Sequence, residues 1–148
     1  GSQSMGGQNS FSGTTTVNAG TLTLDYSTQD NNKLSDTAVL NLSGGTLNLS
    51  GGSHTEVVAS TNLANGTAST VSRSSGAAIL QMGLINRVGN ATINFAQSGI
   101  ATTDTLNNAD GYIGAWATVN GTDLAVNSTN DSNGLITAPV YSDVTRLS

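Results

Sequence analysis

The chain of 148 residues has no cysteine, one proline, one tryptophan and one histidine, and only 9% of it is charged. Without cysteine there is no disulfide scaffold, and thiolate-based zinc or iron–sulfur sites are excluded with it. A net charge of −5 and a pI near 4.2 give no basic face for nucleic acid. No apolar run approaches the roughly 18–20 residues that span a bilayer, so no membrane insertion by this segment is expected. Helix formers dominate no window, which argues against a long amphipathic helix.

Small neutral residues fill the gap. Ser, Thr, Asn and Gly make up roughly half the chain, well above the usual share. That composition suits a linker, but proline is scarce and aliphatic residues recur with a period of two, which disorder does not require. The length fits one domain with a thin core of Val, Leu, Ile and Ala. Residues 1–10 read as an expression remnant, Gly1 to Met5, followed by a flexible lead-in, and 11–148 as a single domain. The end at Arg146-Leu147-Ser148 suggests a piece excised from a longer chain, with signal peptide and any translocating barrel lying outside it.

Strand signals are clearest near the start. Val17, Ala19, Leu22 and Leu24 share a side if the chain turns at Ala19-Gly20, while Thr21 and Thr23 face outward. Ala38 to Ser50 repeats the plan with Leu40, Leu42, Leu47 and Leu49. Gly20-Thr21-Leu22-Thr23 and Gly45-Thr46-Leu47-Asn48 are offset by 25 residues. A weaker copy at Gly89 to Phe95 puts Ile93 and Phe95 at the Leu positions, 44 residues beyond Gly45, with one turn between.

Such a period points to a solenoid. Aliphatic side chains stack inward, Thr, Ser and Asn form outer ladders, and low charge follows because like charges stacked about 4.8 Å apart repel. Asn65-Gly66, Asn120-Gly121 and Asn133-Gly134 mark turns. Val57 to Ala59 and Thr70-Val71 read as strands, and Ala77 to Gly83 as a strand or one helical turn. Tyr112 to Val119 reads as a buried strand, and Leu124 to Val126 and Leu135 to Thr137 continue the series. The expectation is an all-β parallel β-helix (β-solenoid) of about six coils with a core of Leu22, Leu24, Leu40, Leu42, Leu47, Leu49, Ile93, Phe95, Val119 and Ile136. The alternative is an antiparallel β-sandwich.

Gly13 to Leu24 resembles the autotransporter-associated β-strand repeat of bacterial passenger domains, whose pattern runs Gly-x-Thr-x-Val-x-x-Gly-Thr-Leu-x-Leu. Gly111 to Asp123 is similar to a block that often follows such repeats, although Leu124 stands where a Trp often occurs. The two matches cover about a sixth of the chain directly. The resemblance implies a right-handed parallel β-helix, exported to the cell surface or released, and no particular activity.

Chemistry-bearing residues are few. His54, the only histidine, would have to be the base of any Ser–His–acid hydrolase; Glu56 beside it is the only glutamate, and no nucleophile elbow is present. Asp25 with Asp30-Asn31-Asn32, Asp104 with Asn107, Asn108 and Asp110, and Asp131 with Asn130 and Asn133 are oxygen-rich loops that could hold Ca2+. They lack EF-hand spacing and read equally as turns, so no cofactor is expected. Paired carboxylates for glycoside cleavage need a convergence that sequence does not display. Arg73 and Arg87 read as solubilising residues that could meet an anionic sugar. Tyr112 and Trp116, four apart, would share a strand face as a glycan platform, or Trp116 packs over the core. Thr14, Thr16, Thr21 and Thr23 suggest an ice-binding row, broken by Asn48 and Asn94. Asn-x-Ser/Thr triplets at Asn41, Asn48, Asn65, Asn90, Asn120, Asn127 and Asn130 follow from composition. The expected role is a structural or adhesive segment of a secreted bacterial surface protein, not an enzyme, with no catalytic or metal residues. Its expected partners are surface glycans or further copies of itself. The alternatives are a polysaccharide-degrading enzyme on the same fold and a fibre-forming subunit whose strand edges pair.

Overall fold

The computed structural model describes residues 1–141. These form sixteen strands and no helix. In chain order they are β1 Ser2–Met5, β2 Thr15–Val17, β3 Thr21–Asp25, β4 Val39–Leu42, β5 Thr46–Ser50 and β6 Thr55–Val57. There follow β7 Ser60–Leu63, β8 Ala68–Arg73, β9 Ile79–Gln81, β10 Leu84–Arg87 and β11 Thr92–Phe95. The last are β12 Ala101–Thr103, β13 Ala117–Val119, β14 Asp123–Leu124, β15 Val126–Asn127 and β16 Gly134–Thr137.

The strands stack into three sheets that wrap one core: β1-β3-β5-β8-β11-β13-β14, β10-β7-β4-β2 and β15-β16-β12-β9-β6. Each coil after the first contributes one strand to each sheet, and pairing between coils is parallel throughout the body. A sandwich would pair neighbours antiparallel, so the chain is a parallel β-solenoid, of about four turns.

Register explains why the sequence repeats. In the first sheet Leu22, Leu47, Val71, Phe95 and Val119 form one inward column. All but the half-buried Leu22 are fully enclosed. In the second sheet Val17, Leu42 and Leu63 stack likewise. Outward positions carry amide and hydroxyl ladders. Asn86 Nδ2 donates to Asn62 Oδ1 (3.1 Å), and Asn62 Nδ2 donates to Asn41 Oδ1 (3.0 Å). Each side chain thereby satisfies its neighbour one coil away, and the face stays polar without charge.

Three sequence expectations shift. Phe95, not Ile93, occupies the Leu47 column, and Ile93 pairs with Ser69. The weaker copy was therefore aligned two residues out of register, an error that period-two alternation hides because both residues stay inward. Ala77 to Gly83 resolves as the strand β9, flanked by Gly83 at φ 59°. The coil count falls from six to about four because the chain stops coiling after β13, which still stacks parallel on β11. β13 and β14 form a hairpin through Asn120 (φ 56°) and Gly121 (φ 72°), and β16 runs antiparallel to both β12 and β15. The segments at Leu124 and Leu135, expected as further coils, are thus a cap over the C-terminal end, where they cover strand edges.

At the other end, Ser2–Met5, read with Gly1 as an expression remnant, lie parallel to β3, with Ser2 opposite Thr21 and Met5 opposite Leu24. The first coil has no strand in the third sheet, and residues 26–38 form a loop in that place. No helix among the described residues is long and apolar enough to cross a membrane.

Candidate functional site

The single glutamate, the single lysine and the single histidine meet on that loop. In the third sheet Glu56 pairs with Leu80, which pairs with Ala101, so a carboxylate stands in an apolar inward column. Glu56 is fully buried. It accepts the Tyr26 hydroxyl (2.7 Å), the Lys33 N–H (2.9 Å to one oxygen) and the Leu34 N–H (2.7 Å). A buried carboxylate is tolerated when its oxygens are filled with donors, and here they are. The loop supplies all three donors, so Glu56 performs for the missing strand what backbone carbonyls do elsewhere in the sheet.

Lys33 is equally enclosed. Its Nζ donates to the Gln29 carbonyl (2.7 Å) and Asn31 Oδ1 (2.7 Å) and lies 5.3 Å from the Tyr26 ring centroid, within cation–π range. Asp30 reaches across to the turn before β6 and accepts the backbone N–H groups of Ser53 and His54 at 3.0 and 2.9 Å. The Ser53 N–H leads the bonds that hold the Asp30 carboxyl below its ordinary range. His54 Nε2 sits 2.6 Å from Asn32 Oδ1, and its ring lies 5.5 Å from that of Tyr26. Burial first, then the bond to Glu56, pushes the Tyr26 phenol far above its ordinary range. The cluster therefore binds the loop to the solenoid. His54 faces an amide and a phenol ring, not a serine, and carries no hydrolase geometry.

The other candidates resolve as structural contacts. Asp25 accepts the hydroxyl and N–H of Ser27, which lower its pKa. Asp104 accepts the Asn133 N–H, and Asn130 accepts the Asn107 N–H. Among the described residues no three His, Asp or Glu side chains converge as a metal site would need. Arg73 and Arg87 donate to the carbonyls of Ala78 and Ala91 and so fasten their own corners. Tyr112 to Trp116 is not strand; the strand is confined to Ala117–Val119. The four-residue spacing therefore sets no common face, and Trp116 packs against the core while Tyr112 donates to Asp110.

Two features had no sequence signal of their own. Asn127, one of the Asn-x-Thr triplets, is fully buried and donates through Nδ2 to the carbonyls of Thr105 and Asp131, tying the cap together. The Glu56 cluster was signalled only by scarcity: the chain's one Lys, one His and one Glu all fall between positions 33 and 56.

Parallel coils, Gly-Thr-Leu corners and uncharged ladders, taken with the similarity that follows, fit an autotransporter-like passenger segment, as the Gly13 to Leu24 motif implied. Over 123 residues the chain is 36% identical to the adhesin BmaC autotransporter of Brucella suis biovar 1 (strain 1330). The match covers 78% of this chain and 4% of that protein, so the chain spans a small part of the length of the relative. No family model matches the chain, and no solved structure does.

Proposed function

We propose that the chain is a structural and adhesive segment of an autotransporter-like passenger, displayed at the bacterial surface or released, and that it works without catalysis. The observation that carries this reading is the identity to an autotransporter adhesin across most of the chain, on a solenoid whose ionisable groups are spent on loop and cap contacts. A solenoid suits the role mechanically, because each coil is stabilised by its neighbours and the rod lengthens without redesign. Its partners are neutral surface glycans or further copies of the chain. The uncharged outer ladders offer hydroxyl and amide groups to either, and Tyr112 and Trp116 are the aromatic candidates for a sugar contact.

The test is retention of chain-coated beads on glycan arrays and on host-cell monolayers, beside beads carrying an unrelated acidic β-solenoid. Saturable retention that free chain competes away is expected. Retention no greater than that of the control on every surface would sink the adhesive reading. Depolymerisation of any retained glycan would overturn the non-enzymatic one.

A further inference from the structure

The three outer faces of the solenoid differ in what their polar groups do. On the second sheet the row Thr16, Asn41, Asn62 and Asn86 is closed on itself, each side chain bonded to the next coil. On the third sheet Val57, Ile79 and Leu135 stand outward, and the Thr102 hydroxyl in their midst is buried without a partner. Neither face presents an open row of hydroxyls.

The first sheet does. Register stacks Thr21, Thr46 and Thr70 on the neighbouring strands β3, β5 and β8. In the column beside them the polar groups are taken: Asn48 Nδ2 donates to Ser74 Oγ (3.0 Å), and Ser72 Oγ donates to Asn48 Oδ1 (3.0 Å). Further along, Thr118 Oγ1 donates to Asn94 Oδ1 (2.9 Å). Among the described residues the hydroxyls of Thr21, Thr46 and Thr70 enter no side-chain hydrogen bond and are left for an outside partner. From Thr70 the open row steps diagonally to the exposed Thr92 and ends at Trp116, placed beside Thr92 by the pairing of Ile93 with Ala117. The Trp116 indole fills the space at Gly114, where a Cβ would meet it, so the ring rests on the core with part of its surface in solvent. No ionisable side chain lies in this row.

We propose that this row binds a neutral, extended β-linked glycan laid along the solenoid axis, with one sugar stacked on Trp116 and its continuation over Thr92, Thr70, Thr46 and Thr21. The inference rests on the adhesive reading above and narrows it to one face and one glycan geometry. Each threonine offers a hydroxyl and a methyl, and a pyranose ring offers hydroxyls at its rim and C–H groups on its faces. Coils repeat about every 4.8 Å, close to the advance of one pyranose in an extended chain, so successive coils meet successive sugars alike. A coiled α-linked chain falls out of step with that repeat. An anionic chain finds no cation along the row to offset the loss of its hydration. Tryptophan supplies a large apolar surface for a sugar face at the end of the row.

Cellohexaose, maltohexaose and a galacturonate hexamer are the probes, titrated calorimetrically into the full chain. Cellohexaose is expected to bind at least tenfold more tightly than either of the others and to shift the fluorescence of Trp116, the single tryptophan. Thr46→Val combined with Thr70→Val removes two hydroxyls and keeps the β-branched shape. It is expected to weaken cellohexaose binding at least tenfold with the thermal midpoint unchanged. Ser60→Val, on the second sheet between Val39 and Leu84, is expected to leave the affinity as it was. The proposal is overturned if maltohexaose or the galacturonate hexamer binds as tightly as cellohexaose, if the double variant keeps full affinity, or if Ser60→Val loses as much. Beads coated with the double variant tell this proposal from the adhesive reading. Retention on glycan and cell surfaces equal to that of the unchanged chain overturns the face and leaves adhesion standing. Absence of retention for both chains sinks adhesion and the face with it. Should the double variant fail to fold, Trp116 fluorescence unmoved by cellohexaose in the unchanged chain overturns the proposal by itself.

Discussion

Replacing Glu56 by Gln tests the account of the loop most directly. The two side chains have the same shape, but Gln offers one acceptor oxygen and turns an NH2 group toward the donors of Tyr26, Lys33 and Leu34. Each buried donor left without an acceptor costs about 1–3 kcal/mol, and the loop escapes part of that by swinging into water. Hydrogen bonds to a charged acceptor are worth about 1.5–3 kcal/mol each, so a net loss of about 3 kcal/mol is expected. For a chain of this size that lowers the thermal midpoint by on the order of 10 °C. Glu56→Leu supplies the contrast, because leucine fits the column that Leu80 continues. It should free the loop while the solenoid body stays nearly as stable as before. Amide hydrogen exchange separates the two effects: Lys33 and Leu34 should lose protection in both variants, and Leu47 and Val71 in neither. Unchanged exchange at Lys33 and Leu34 in Glu56→Gln, or a midpoint within about 1 °C of the parent where about 2–4 °C per kcal/mol is the rule, would refute the reasoning.

Phe95→Ala removes the largest member of the inward column and should cost about 3–5 kcal/mol in denaturant unfolding. Asn62→Ala breaks the ladder on both sides of one coil and should cost about 1 kcal/mol, with Asn41 and Asn86 amide resonances shifting together. The Tyr26 phenol holds its proton more tightly folded than unfolded, so its share of stability is present below its ordinary pKa of 10.0 and is lost as pH rises above it. Tyr26→Phe should flatten the alkaline limb of the midpoint–pH curve. The Asp30 carboxyl is shifted the other way: its contribution is present above the ordinary value of 3.8 and disappears as pH falls below it. Asp30→Asn should remove that acid sensitivity and speed exchange of the Ser53 and His54 amides.

The body of the fold was legible because its signal is local and repeated. Leu40, Leu42, Leu47 and Leu49 alternate with polar residues, and the Gly-Thr-Leu corner recurs at the spacing of one coil. Burial of nine of the ten expected core residues follows from that alternation, since parity alone decides which side a strand residue faces. Register was less legible, because a shift of two preserves parity, and Ile93 was put in the place of Phe95 for that reason. The C-terminal cap was misread as further coils. Hairpin strands such as β14 and β16 have the same apolar alternation as coil strands, and only their partners reveal direction.

The Glu56 cluster was illegible for a deeper reason. A buried carboxylate is defined by what surrounds it, and its donors come from residues 22 to 30 positions away. Sequence offered only a rarity, which chemistry at first reads as catalysis. The geometry turns that reading around. A solenoid repeats its hydrogen-bond pattern coil by coil, so the one coil without a third-sheet strand must find acceptors for loop N–H groups elsewhere. Glu56 in an apolar column meets that need, with the Tyr26 hydroxyl donating to it, while the Lys33 ammonium and the His54 ring bond to groups of the loop. The ionisable groups of this region are committed to closing an irregular coil, and uncharged amide ladders line the outside.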